Sequence, residues 1–135
     1  MKLKQMVVFC VLMCVLLATA YAEDALYAIR ESGNVMVRID PVTLTVTDVG
    51  PTGVSSGDFG GMAYDRNSDT IYWVPGRFNN NLYTLNRNTG AATLIGSHGI
   101  NDLFGLAYDS TNNVLYGSQY SGGMNLYSIN TTTGT

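Results

Sequence analysis

Oxygen donors at alternate positions make Asp65-Arg66-Asn67-Ser68-Asp69 the first segment of this chain whose residue types suggest chemistry. Carboxylate and amide oxygens spaced two apart open a calcium-binding loop, because such a dication gathers six or more oxygens around one point. The pattern stops there. Thr70 stands where the loop needs glycine, no glutamate follows at the twelfth position, and Asp109-Ser110-Thr111-Asn112-Asn113 keeps only part of it. Asp and Asn side chains that cap backbone N–H groups in a hairpin loop account for the same letters. Asp65, Asn67 and Asp69 are therefore metal candidates of the thinnest kind, and the expectation is no metal site.

His98 is the sole histidine, and Asp102 four residues on would be its partner in a general-base pair. Gly96, Ser97, Gly99 and Asn101 mark the surroundings as a loop, with no nucleophile motif and too few ligands for a metal. The expectation is a solvated histidine and no catalytic residue. Trp73, with Tyr72, Arg77 and Phe78 nearby, offers an apolar face for stacking on a sugar ring, so Trp73, Arg77 and Phe78 are the ligand-binding candidates. Asn130-Thr131-Thr132 fits the N-glycosylation acceptor pattern, which matters at Asn130 if the producing cell is eukaryotic.

The elements that position these residues come from a repeat. Gly61-Met62-Ala63-Tyr64-Asp65 returns as Gly105-Leu106-Ala107-Tyr108-Asp109, 44 residues later by the difference between 61 and 105. The same stride carries Ile71-Tyr72 onto Leu115-Tyr116, Asn81-Leu82-Tyr83 onto Asn125-Leu126-Tyr127, Asn86 onto Asn130 and Thr89-Gly90 onto Thr133-Gly134. Trp73 falls on Gly117, so a sugar site at Trp73 would not recur. An earlier copy is traced by Leu26-Tyr27, then 35–40, then 45–50, and it lacks an opening strand.

Within the full unit, short runs rich in β-branched and aromatic residues predict strands near 61–64, 70–73, 81–86 and 91–96. Turn signals such as Ser32-Gly33-Asn34, Pro75-Gly76, Asn79-Asn80, Thr89-Gly90 and Ser121-Gly122-Gly123 leave no window long enough for an amphipathic helix. Alternation puts Leu82 and Thr84 on one face of their strand, Tyr83 and Leu85 on the other. A sheet with apolar groups on both faces must pack between two neighbours. Tyr27, Tyr72, Tyr83, Tyr116 and Tyr127 fit such packing, with hydroxyls reaching the rim.

The succession Gly-hydrophobic-Ala-Tyr-Asp, Leu-Tyr, Leu-Tyr-x-Ile/Leu-Asn/Asp, Thr-Gly and Thr-Leu-Ile-Gly resembles the blade repeat of secreted β-propellers, of the quinoprotein-like and YVTN-like kind, over nearly the whole repeat region. The resemblance implies an all-β fold, a partial β-propeller of four-stranded antiparallel blades, with a partial blade at 23–50, a full blade at 59–96 and a partial blade at 103–135. A ring needs four to eight blades. The chain therefore reads as a truncated fragment that stops in mid-repeat at Thr135, or as one of several short chains that close a ring together.

Residues 1–22 read as a cleavable signal peptide: Lys2 and Lys4, an uncharged apolar run over 6–17, then Ala20-Tyr21-Ala22. Both cysteines, Cys10 and Cys14, lie inside it, so the mature chain has no disulfide to stabilise it. Loss of the two lysines leaves five arginines against ten carboxylates. That balance argues against nucleic acid and anionic lipid as partners, and no second apolar run spans a membrane. The expected protein is secreted or extracellular, periplasmic or on the cell surface if bacterial. It reads as a binding or scaffold module for a protein or carbohydrate ligand held by its loops, without catalysis or cofactor. Its other expected partners are further blades or copies of itself. The alternatives are a piece of a propeller enzyme, a quinoprotein-like oxidoreductase or a hydrolase, and an oligomeric propeller lectin.

Overall fold

The computed structural model describes residues 25–55 and 59–135, so the expected signal peptide at 1–22 lies outside the described residues. Ten strands follow one another: β1 Leu26–Arg30, β2 Val35–Ile39, β3 Val46–Pro51, β4 Phe59–Asp65, β5 Thr70–Gly76, β6 Asn81–Leu85, β7 Ala92–Ser97, β8 Leu103–Asp109, β9 Val114–Gln119 and β10 Leu126–Ile129. They form three antiparallel sheets, with β1 to β3 in the first, β4 to β7 in the middle and β8 to β10 in the third. Each strand pairs with its sequence neighbour, which short hairpins enforce.

The turns that follow β2, β6 and β10, which are equivalent in the repeat, share one device. Asp40 Oδ1 accepts the N–H of Val42 and Thr43, Asn86 Oδ1 that of Asn88 and Thr89, and Asn130 Oδ1 that of Thr132 and Thr133, all at 2.8–3.1 Å. Such Asx turns satisfy backbone donors where the chain reverses, which is why an Asp or Asn stands at this point in every copy. Glycine follows in two of them. Gly90 and Gly134 take the left-handed backbone, φ +76° and +83°, and lie against the backbones of Gly50 and Gly96 in the preceding sheet. A Cβ on Gly90 would stand 2.3 Å from the Gly50 carbonyl oxygen, so the sheets can approach only where both residues lack side chains.

A β-bulge also recurs. The register slips between Met36 and Val37 in the first sheet and between Leu82 and Tyr83 in the middle one, setting Gly50 opposite Met36 and Gly96 opposite Leu82. The extra residues, Val49 and Ile95, lean onto the two cores, so the bulge bends the outer strand and adds apolar contact in one step.

Alternation along β5 and β6 divides those cores. Tyr72, Val74 and Leu82 face the third sheet, where they meet Leu103, Leu115 and Ile129. Ile71, Trp73, Tyr83 and Leu85 face the first sheet and pack with Met36. The opposed faces expected for Leu82 and for Tyr83 with Leu85 are what the structure has. The middle sheet is buried on both sides, and burying a side chain of Leu or Ile size stabilises by about 1.5–3 kcal/mol. Cross-sheet hydrogen bonding adds to this at the outer side, where the Ala92 N–H donates to the Thr52 carbonyl at 2.9 Å. Strands and turns make up the described residues, and no helix among them is long and apolar enough to cross a membrane.

Candidate functional site

The hairpin arrangement puts two sets of loops at opposite ends of the strands. One end of the middle and third sheets collects the turns after β4, β6 and β8, and it is polar and self-satisfied. Asp65, almost completely buried, accepts the N–H of Asn67 at 2.9 Å and the hydroxyl of Ser68. The Ser68 hydroxyl holds the Asp65 carboxyl below its ordinary value against the opposing effect of burial, helped by the Asn67 N–H and the Tyr108 hydroxyl. Asn67 reaches across to the next sheet and donates to the Ser110 carbonyl at 2.7 Å and to Asn113 Oδ1 at 3.3 Å. Asp69 takes the Tyr64 hydroxyl at 2.7 Å and ion-pairs with Arg87. The three oxygen-bearing candidates are thus engaged in three separate contacts, and the sequence pattern at 65–69 corresponds to a turn that ties neighbouring sheets together. No group of three or more His, Cys, Asp or Glu side chains converges among the described residues.

His98 and Asp102 do not meet either. His98 Nδ1 accepts the Ile100 N–H at 3.1 Å, which puts the ring proton on Nε2. Among the described residues Nε2 is buried without a partner, and desolvation lowers the pKa of the ring, so the histidine is half-buried rather than solvated. Asp102 instead accepts the Ser121 hydroxyl and pairs with Arg77 at 3.5 Å. The His–Asp spacing of four suits a helix, and this segment is a loop.

Trp73 is 1 % exposed and packs against Tyr83 with ring centroids 5.7 Å apart. A ring enclosed between the first and middle sheets cannot stack on a sugar, so Trp73 is a core residue here and leaves the ligand-binding set. Tyr72 is likewise enclosed and stacks on Tyr108 at 5.7 Å. Arg77 and Phe78 do reach the surface, on the turn between β5 and β6. Asn130 is exposed, with its side-chain oxygen in the Asx turn described above.

The opposite end gathers Arg77, Phe78, Phe104 and Tyr120, two of them not foreseen. The Arg77 guanidinium lies 5.8 Å from the centroid of the Phe104 ring, and Phe104 packs on Tyr120 at 5.5 Å. Asp102 anchors the other side of Arg77, and the Tyr120 N–H donates to the Asp102 carbonyl at 2.9 Å. Beneath them, Asn80 Nδ2 donates to Asn101 Oδ1 at 2.8 Å and Gln119 Nε2 to the Asn101 carbonyl at 3.1 Å, tying three loops into one surface. Tyr120 is 62 % exposed and Phe78 is 89 % exposed. Met124, in the loop between β9 and β10, is exposed at the same end.

Phe78 takes the left-handed backbone, φ +70°, as do the exposed Leu44 and Met124. An aromatic residue in the left-handed region is strained by about 1–2 kcal/mol, and none of that is offset by burial, since the ring stands in solvent. Residues held this way cluster at binding sites. Phe104 and Tyr120 had a signal in the sequence that the repeat comparison passes over. Each falls where the stride of 44 puts glycine in the earlier copy, Gly60 and Gly76. Phe104 is the second residue of β8 and Tyr120 directly follows β9, so both aromatics break the repeat at strand ends beside the loops.

No family model and no curated protein sequence matches this chain. Among solved structures, a chain of a crystal structure of a nidogen/laminin complex matches with a TM-score of 0.62 at 15 % identity, over 81 % of this chain and 44 % of that one. This chain spans less than half the length of the chain it matches. The likeness is one of fold: the three sheets are successive blades of a partial β-propeller, with the middle sheet the complete four-stranded blade.

Proposed function

We propose that this chain belongs to an extracellular binding module that takes a protein ligand on the loop face carrying Arg77, Phe78, Phe104 and Tyr120. The observation that carries the reading is Phe78, a strained and fully presented aromatic beside a fixed arginine. Aromatic residues, arginine and methionine are the types enriched where protein interfaces concentrate their energy. The Arg77 guanidinium, held by Asp102 and Phe104, is preorganised, so less side-chain freedom is lost on binding. The matched solved structure is of a nidogen/laminin complex, in keeping with a propeller that binds protein. The apolar, lysine-led amino-terminal segment supports export, and ten acidic against seven basic residues disfavour nucleic acid.

The test is site-directed photocrosslinking. A benzoyl-phenylalanine at position 78, and separately at Val42 on the outer turn of the first sheet, is exposed to the secreted proteins of the producing organism. The expected result is a discrete protein adduct from position 78 that Arg77→Ala or Tyr120→Ala abolishes, with none from position 42. Equal labelling from both positions overturns the reading. So does saturable binding of neutral oligosaccharides that blocks the adduct, because the face then belongs to a lectin.

A further inference from the structure

We infer that His98 is a proton-operated latch: on taking up a proton it releases the turn at 98–100 and with it the loop face carrying Arg77, so that mild acid weakens ligand binding there. The control of binding rests on the function proposed above, whereas the release of the turn does not.

The same turn occurs after β3 and after β7, with different chemistry. Thr52-Gly53-Val54 directly follows the first strand as His98-Gly99-Ile100 follows the second. The Thr52 N–H donates to the Asn34 carbonyl at 2.9 Å, and the His98 N–H to the Asn80 carbonyl at 2.9 Å. Gly53 and Gly99 both take the left-handed backbone, φ +75° and +67°. Val54 then leans onto the core between the first and middle sheets, and Ile100 onto the core between the middle and third. In each turn the first side chain accepts the N–H two residues on: Thr52 Oγ1 that of Val54 at 3.2 Å, His98 Nδ1 that of Ile100 at 3.1 Å. Asp65, Asn79 and Asn86 do the same with a carboxylate or amide oxygen. A hydroxyl or amide oxygen goes on accepting in mild acid. An imidazole nitrogen accepts only while it is unprotonated, and a protonated Nδ1 would set one donor against another.

The surroundings give the charged ring no compensation. Among the described residues Nε2 is buried without a hydrogen-bond partner. The titratable side chains that the neighbouring elements bring to this end are Arg77, Tyr83, Tyr120 and Tyr127, and the loop itself adds Asp102. The tyrosines stay uncharged in acid, and Asp102 is engaged by Arg77 at 3.5 Å and by the Ser121 hydroxyl. Burial therefore lowers the pKa of the ring from 6.5 with no carboxylate to oppose it. The residue is only half-buried, so rotation of its side chain carries the charge to water at the cost of the Ile100 bond. The residues released next are those that build the face: Asn101, bonded to Asn80 and Gln119, and Asp102, which holds Arg77. A folded pKa below the unfolded one gives stability that is complete above 6.5 and is lost as pH falls through the folded value.

Hydrogen exchange of the full chain followed by NMR tests the latch without any ligand. Between about pH 7.5 and about pH 5, protection of the Ile100 and Tyr120 amides, each relative to its intrinsic exchange rate, is expected to fall by about threefold or more, while that of the Val54 amide stays level. His98→Asn keeps an acceptor two residues before Ile100 and does not titrate, so it is expected to abolish the fall. His98→Thr, which copies position 52, is expected to abolish it too and serves if the amide variant folds poorly. The benzoyl-phenylalanine adduct from position 78 is expected to lose yield at the lower pH in the parent chain and to keep it in His98→Asn. Protection that does not fall, that falls equally at Val54, or that falls equally in the variants overturns the latch. An adduct indifferent to pH while Ile100 loses protection overturns the control of binding. No adduct at either pH overturns the proposed function instead, and the exchange rates still decide the latch.

Discussion

Leu82 and Leu126 occupy the same place in two copies of one repeat, yet the first is 0 % and the second 70 % exposed. Among the described residues, the middle sheet has a neighbour on each face and the third sheet has one only on the side of Tyr72, Val74 and Leu82. The repeat letter therefore specifies a leucine for a sheet-to-sheet interface, and its energetic value depends on whether the neighbour is there. A motif in a solenoid-like stack is a nearest-neighbour term, not a property of the residue.

The sharpest way to break this comparison is truncation at both leucines. Leu82→Ala is expected to destabilise the chain by about 2–5 kcal/mol in urea unfolding, and Leu126→Ala by less than about 1 kcal/mol. Equal losses would mean that the third sheet is covered in solution. The glycines that open the repeat offer a second contrast. A Cβ at Gly61 would stand 2.3 Å from the Phe104 carbonyl oxygen in the next sheet, whereas one at Gly105 would meet mainly the Ser118 hydroxyl, which can rotate away. Gly61→Ala is expected to cost about 1–3 kcal/mol and Gly105→Ala clearly less, read by thermal unfolding.

The loop face differs from the interfaces in the opposite direction. Phe78→Gly relieves the backbone strain at φ +70° and exposes nothing new, so it is expected to raise stability by up to about 1 kcal/mol while abolishing the photocrosslinked adduct formed by neighbouring Tyr120 when the probe is moved there. A loss of stability would show that the ring packs after all.

The smallest effect concerns acid. Asp65 and Asp109 are equivalent in the repeat and both titrate below the ordinary value of 3.8, Asp65 chiefly through the Ser68 hydroxyl and Asp109 chiefly through the Asn112 side-chain amide. A folded pKa below the unfolded one gives stability that is present above 3.8 and is lost as pH falls through the folded value. In the His98→Asn background the melting temperature is expected to be flat above about pH 5 and to fall below 3.8, with a shallower acid slope in Asp65→Asn and in Asp109→Asn. A slope unchanged in both variants would place the acid sensitivity elsewhere.

Most of the blade was legible in the residues because its signals are local. The Asx turns at Asp40, Asn86 and Asn130, the alternation at 82–85 and the stride of 44 are consequences of backbone donors needing partners and of a two-residue side-chain period. The loop site was legible only in part. Trp73, Arg77 and Phe78 read together as a sugar-stacking face, and of these Arg77 and Phe78 reach the surface while Trp73 is enclosed, since β5 is buried on both faces and position 73 points to the first sheet. Phe104 and Tyr120 lie far along the chain, and the approach of three loops brings them to Arg77.

By itself, then, the order of residues determined the unit: which stretches extend, where they turn and that both faces of each sheet are apolar, all of them matters of neighbours a few positions apart. The tertiary structure alone decided which copy of each residue is enclosed and which side chains meet at the loop face. Those outcomes rest on contacts between segments some 20 to 45 residues apart, and a stack leaves identical letters buried at its centre and bare at its ends.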